Sequence, residues 1–186
     1  MILGRSIEEI KDKESFKFDY TDLIKPTIGL GGVTFLNKIN DFSSNIINFK
    51  DNRLISEFIP EFNDHFYYLT LCLKDNSIKI TFDILTGQII GFECSGDYKG
   101  KTKEGIGIGM SIKSAFSVDD KLGFDLDYDV FCHYPFDGLL IYPPMNLRDS
   151  CVSAACNNGE FPDFIINSII ILEKKYALTH FEYIDK

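Results

Sequence analysis

At 186 residues with 45% hydrophobic side chains, 17 Phe and 9 Tyr, the chain is too apolar to be disordered and large enough to bury a core without metals or disulfide staples. Its 19 basic and 28 acidic side chains leave a net charge of -9. That sign opposes direct nucleic-acid binding, which needs a basic face to release counterions, and it suits a basic protein partner.

The opening Met1-Ile-Leu-Gly-Arg-Ser-Ile-Glu-Glu-Ile becomes charged at once. No apolar signal core is visible there, and no stretch nears the roughly 18 apolar residues of a membrane span. A cytoplasmic protein without membrane association is expected. Abundant Ile, Lys, Asn, Asp and Phe fit a bacterial, AT-rich coding source. Cys72, Cys94, Cys132, Cys151 and Cys156 are odd in number and lack framework spacing, which reads as a reducing compartment.

Ser6-Ile7-Glu8-Glu9 has the form of a capping box and predicts a short first helix. Ile28-Gly29-Leu30-Gly31-Gly32-Val33-Thr34-Phe35 combines turn-forming glycines with an alternating strand. Ile39, Phe42 and Ile46 follow at helical spacing, predicting a second helix over about 38–47. The stretch Glu57-Phe-Ile-Pro-Glu61-Phe-Asn-Asp64 reads as a loop whose carboxylates and aromatics form either a connector folding back on the core or a binding rim.

From Phe66 the period changes to two. Phe66–Leu73, Ile78–Ile84 and Gln88–Cys94 read as three strands on short turns, an antiparallel meander. Ile78, Ile80, Phe82 and Ile84 are expected on one face, with Lys79, Thr81 and Asp83 on the other. The polar segment Asp97–Glu104 marks the boundary between halves. Ser111 then caps a helix carrying Ile112, Ala115 and Phe116 on one side, and Phe124–Cys132 and Leu139–Tyr142 read as strands. Residues 143–163 are expected to be a long loop with a short helix near Val152–Cys156, followed by strands at Phe164–Leu172 and about Leu178–Ile184.

Gly32–Ile39 lies over Gly105–Ile112 with matching Gly, apolar and Ile positions, and each copy leads into a helix and then strands. The expected fold is α+β: antiparallel β-meanders with short helices in two related halves, 1–96 and 97–186, arranged in tandem or as one continuous domain.

The motifs that could carry chemistry fail in detail. Gly29-x-Gly31 and Gly105-x-Gly107 lack the third glycine of a dinucleotide fingerprint, and Gly100-Lys101-Thr102 has Ser95 where a phosphate loop begins with glycine. Asp125, Asp127 and Asp129 open like a calcium loop, but Val130 and Phe136 occupy the required Gly and Glu positions. Cys132 and His133 point to opposite faces of a strand, and Cys151 and Cys156 lack zinc-site spacing. No metal, cofactor or catalytic residue is assigned, and the chain is not read as an enzyme.

Alternation instead places Phe124, Leu126, Tyr128 and Val130 on the core and the three aspartates on the opposite face. With Asp119, Asp120 and Asp137 they form the densest acidic run. It reads as a solvated sheet face or as a docking surface for a cationic partner, with Glu57, Glu61 and Asp64 as a second acidic rim.

The Gly105–Phe116 segment and the strands after it resemble immunity proteins of contact-dependent growth inhibition and other polymorphic toxin systems. The duplicated helix-plus-meander pattern is similar to the fold of the β-lactamase inhibitory protein. The likeness spans most of the chain, through one short motif that is not specific. It implies a stoichiometric inhibitor, without catalytic residues, that binds the C-terminal domain of a cognate toxin. A basic nuclease is one such domain, its active site covered by an acidic surface. A structural or assembly binding module is the alternative. A Cys–His enzyme, for instance Cys151 with His65 or His180, is a second, since such partners meet only in space.

Overall fold

The computed structural model describes residues 17–43, 46, 55–62 as main chain, 67–73 and 76–173. The helix expected after Ser6 and the strand expected at 178–184 lie outside them. The first described elements are two short strands, β1 (Gly29–Leu30) and β2 (Val33–Thr34), paired as a hairpin. Its turn is Gly31-Gly32, with φ of 63° and 80°. Positive φ at both central residues gives the hairpin turn whose twist matches its strands, and glycine adopts it without a Cβ clash.

Eight further strands form one antiparallel sheet: β3 (Ile55–Phe62), β4 (Tyr67–Leu73), β5 (Ile78–Asp83), β6 (Ile89–Ser95), β7 (Leu122–Asp125), β8 (Val130–His133), β9 (Leu139–Ile141) and β10 (Ser168–Leu172). Their spatial order is β3-β4-β5-β6-β10-β9-β8-β7. Two four-stranded meanders therefore meet through their last strands, β6 and β10, which run antiparallel with Ser168 opposite Ser95 and Leu172 opposite Gly91. The fold is α+β.

The segments preceding each meander dock alike. A single 3-10 turn (Ile39–Phe42) and helix α1 (Ile112–Val118) each begin beside the approach to their meander's last strand. Ile39 donates its amide to the Gly87 carbonyl at 2.9 Å, and Ile112 donates to Phe164 at 2.9 Å. Isolated bridges join Lys38 to Gln88 and Ser111 to Ile165. Ser111 caps α1, its side chain accepting from the Ser114 amide, which satisfies one of the donors that a helix start leaves open.

Several expectations require correction. Residues 57–62 belong to strand β3 and not to a loop; Pro60 is accommodated because β3 is the outermost strand, where a missing N–H breaks no central ladder. The helix expected over 38–47 opens as a 3-10 turn (Ile39–Phe42), with Ser43 and Ile46 α-helical after it. Phe124–Cys132 is two strands and a turn. Residues 145–156 are helical, a 3-10 turn (Met145–Leu147) running into α2 (Arg148–Cys156), longer than the helix expected within 143–163.

One face of the sheet carries the core. Leu71, Ile80, Phe92, Ile171, Ile141 and Phe131, from six strands of both meanders, are buried in a single cluster with Ile24, Leu30, Phe42 and Ile112. Ile78, Ile80 and Phe82 are buried and Lys79, Thr81 and Asp83 half-buried, as alternation predicts, while Ile84 has left the strand for a turn. Aromatic contacts consolidate each end. Phe42 lies 5.7 Å from Phe82, and Phe161 packs against Phe116, Phe124 and Phe131 at 5.6, 5.6 and 5.2 Å. Edge-to-face and offset rings add roughly 0.5–1.5 kcal/mol per pair beyond their burial.

Candidate functional site

Because strand side chains alternate, every residue opposite the core belongs to a second, open face, in which Lys79, Thr81 and Glu93 are partly exposed while Thr70, Cys72, Cys132 and Leu140 are buried. One cross-strand row can be followed by register from β4 to β7: Cys72, Lys79, Glu93, Ile170, Leu140, Cys132 and Gly123. Over the first meander this face is polar. Lys79 Nζ lies 3.0 Å from Glu93 Oε2, and the Thr70 and Thr81 hydroxyls are 3.2 Å apart. Over the second it is apolar, with Val130, Cys132 and Leu140 buried together beneath Tyr128 and Phe136. The Tyr134 ring lies on Gly123, whose missing side chain leaves room for it.

The acidic residues singled out above do not form one patch. Asp125 ends β7, and its Oδ1 accepts from the amides of Asp127 and Tyr128 at 3.0 and 3.2 Å. The chain then turns through Asp129 at φ 53° before β8 begins. The alternation of Phe124, Leu126, Tyr128 and Val130 is broken by this carboxylate-capped turn. Leu126 is 47% exposed instead of facing the core, and Tyr128 packs on the open-face cluster. Asp129 Oδ2 is held by Arg148 at 2.7 Å. Asp120 and Asp127 are exposed. Glu57 and Glu61 stand in β3, and Asp64 lies outside the described residues.

Asp119 and Asp137 belong elsewhere. Asp119 is 3% exposed, so it cannot meet a partner as a docking residue. It follows α1, where its Oδ1 accepts from the Lys121 amide at 3.0 Å and its Oδ2 lies 2.8 Å from His133 Nε2. The Nε2 approach is an ion-pair contact without hydrogen-bond alignment. On the other side of the ring, His133 Nδ1 is 2.8 Å from Asp137 Oδ2. His133 is 4% exposed, at the end of β8 and opposite Leu122, so the β7–β8 register carries it to the core side while Cys132 takes the open face.

Burial alone would push the His133 pKa down. The hydrogen bond and charge of Asp137, then the charges of Asp119 and Glu104, reverse this and leave it raised. Burial acts to raise Asp137, but its bonds from His133 and the Leu139 amide hold it below the usual carboxylate range. Sequence reading kept His133 only as a possible ligand or enzyme residue and missed the cluster. The signal available was the pairing of two strands about the 126–129 turn, which returns His133 to the start of β7 beside Asp119.

The cysteines are free thiols. Cys72, Cys94, Cys132 and Cys151 are buried and Cys156 is exposed. Burial pushes Cys94 up to about 12 and Cys132 up to about 11, the reverse of an activated nucleophile. His65 and His180, the partners considered for Cys151, lie outside the described residues. Among the described residues no cluster of His, Cys, Asp and Glu could hold a metal ion, and no helix is long and apolar enough to cross a membrane. No family model, curated protein or solved structure matches the chain.

Proposed function

We propose that the chain is a binding protein of the immunity type, holding a cognate toxin domain against the open face of its sheet and covering that domain's active site. The observation that carries this reading is the continuity of that face across both meanders, backed on its other side by a single core. Eight strands at a spacing of ~4.8 Å span about 34 Å. That breadth matches the ~800 Å² that each partner contributes to a standard interface. The polar half supplies the partly exposed Lys79–Glu93 pair and the Thr81 hydroxyl, which the buried Thr70 holds from beside it, and a rigid surface loses little entropy on association. The net charge of -9 steers a basic domain toward it, a nuclease being one kind. Asp120 and Asp127, both exposed, are carboxylates available for that steering.

The test is co-expression of the full chain with a toxin domain encoded beside it. The expected result is rescue of growth and a stoichiometric complex of nanomolar affinity. High salt weakens it, and Thr81→Arg, which places a bulky cation on the open face, weakens it at least tenfold. Absence of both rescue and complex overturns the immunity reading; a complex indifferent to Thr81→Arg overturns the assignment of the face.

A further inference from the structure

We propose that His133 is a buried imidazolium in the folded protein, a proton-dependent clasp fastening the end of α1 and the turn before β9 to the end of β8. The argument rests on the two ring contacts. A neutral imidazole carries one N–H, so one nitrogen presents a lone pair. Here Nδ1 lies 2.8 Å from Asp137 Oδ2 and Nε2 lies 2.8 Å from Asp119 Oδ2. A nitrogen lone pair 2.8 Å from a carboxylate oxygen is repulsive even off the hydrogen-bond line, and a second proton converts the contact into an ion pair.

The surroundings leave that charge with no other source. Asp119 comes from the end of α1 and Asp137 from the turn before β9, while Glu104 acts from the connector between the meanders. All three are acidic, and Lys121, on the approach to β7, is exposed to solvent. A neutral ring would leave Asp119, whose side chain is 1% exposed, as a buried carboxylate without a countercharge, an arrangement that burial strongly disfavours.

The clasp adds a side-chain tie to segments that the β7–β8 and β8–β9 ladders already place side by side. Asp119 also holds the Lys121 amide just before β7, and Asp137 Oδ1 accepts from the Leu139 amide that starts β9. One proton therefore ties α1, β7, β8 and β9 at a single point.

The linkage has a definite sign. The folded ring holds its proton to higher pH than the unfolded ring, whose pKa is ~6.5. Its stabilisation is complete below that value and is lost as pH rises through the folded pKa. Within that window the folded state binds more protons, so the unfolding constant rises by up to ~tenfold per pH unit.

Nitrogen-15 NMR of the uniformly labelled full chain tests this, with the His133 signals assigned by their absence in His133→Gln. Both ring nitrogens are expected at imidazolium shifts at pH 7, titrating only above the ordinary histidine range. One pyridine-type nitrogen at pH 7 overturns the proposal. Urea unfolding from pH 6 to pH 9 gives a second readout, because contributions of His65 and His180 cancel between the wild type and His133→Gln. The wild type is expected to lose stability relative to the variant as pH rises, and a pH-independent difference overturns the clasp. Should His133→Gln fail to fold, Asp137→Asn replaces it: the ring then loses its proton at lower pH by NMR, and an unchanged titration overturns the proposal.

Discussion

Glu93 on β6 stands opposite Ile170 on β10, at the middle of the seam where the two meanders join. On the core side of the same seam, Ile171 is fully buried and pairs with Phe92. Truncating a buried isoleucine removes transfer energy and leaves a cavity, so Ile171→Ala is expected to cost about 2–5 kcal/mol. Because the core is shared, far-UV circular dichroism and tyrosine fluorescence should report one coincident urea transition in wild type and variant alike. Two separated transitions would mean that the meanders unfold independently.

Gly100 has no room for a side chain: a Cβ there would come within 1.9 Å of the Asp22 carbonyl oxygen. The Tyr98 hydroxyl donates to that same carbonyl at 2.7 Å and accepts from the Gly31 amide at 3.1 Å, fastening the β1–β2 hairpin to the connector. Gly100→Ala is expected to destabilise by more than about 2 kcal/mol through backbone displacement. Tyr98→Phe, which strands two backbone groups, should cost ~1–3 kcal/mol. Denaturant midpoints check both, and an unshifted Gly100→Ala would refute the close approach.

Ser111 caps α1 through the Ser114 amide. Ser111→Ala should therefore lower stability by ~1 kcal/mol, while Ser111→Asp, which keeps an acceptor at the cap, should stay close to wild type. Thermal or urea unfolding of the three proteins side by side decides this.

Of the five cysteines, only Cys156 is exposed. A thiol reagent should modify one sulfur per native chain rapidly and all five in denaturant, and Cys156→Ser should abolish the rapid phase. Rapid modification of Cys94, whose thiol is buried and pushed up to about 12, would contradict its place in the core.

The sheet was legible in the sequence wherever one face is wet and the other dry. Ile78, Ile80 and Phe82 against Lys79, Thr81 and Asp83 betray both strand and orientation, since a period of two has no helical reading. Ser111 betrayed its helix because capping chemistry is local. Asp125–Val130 misled for a related reason: apolar residues continue to alternate through a turn that a side-chain oxygen of Asp125 makes, and such a bond leaves the hydrophobic pattern intact. β3 was obscured by Pro60, which argues against a strand until its outermost position is known. The His133 cluster and the β6–β10 seam depend on which distant segments lie side by side, and neither periodicity nor composition encodes that for a single chain.

The seam also has a kinetic consequence. Within each meander, successive strands are neighbours along the chain and can pair as they form, whereas β6 meets β10 only after α1, β7, β8, β9 and α2 have been passed. Closing so large a loop costs entropy before any contact repays it, which slows folding. Until β10 docks, β6 and β9 both present unpaired backbone along the strand that will later receive it. The half-assembled molecule is then most open to pairing with another copy of itself, and the yield of folded protein is set in that interval.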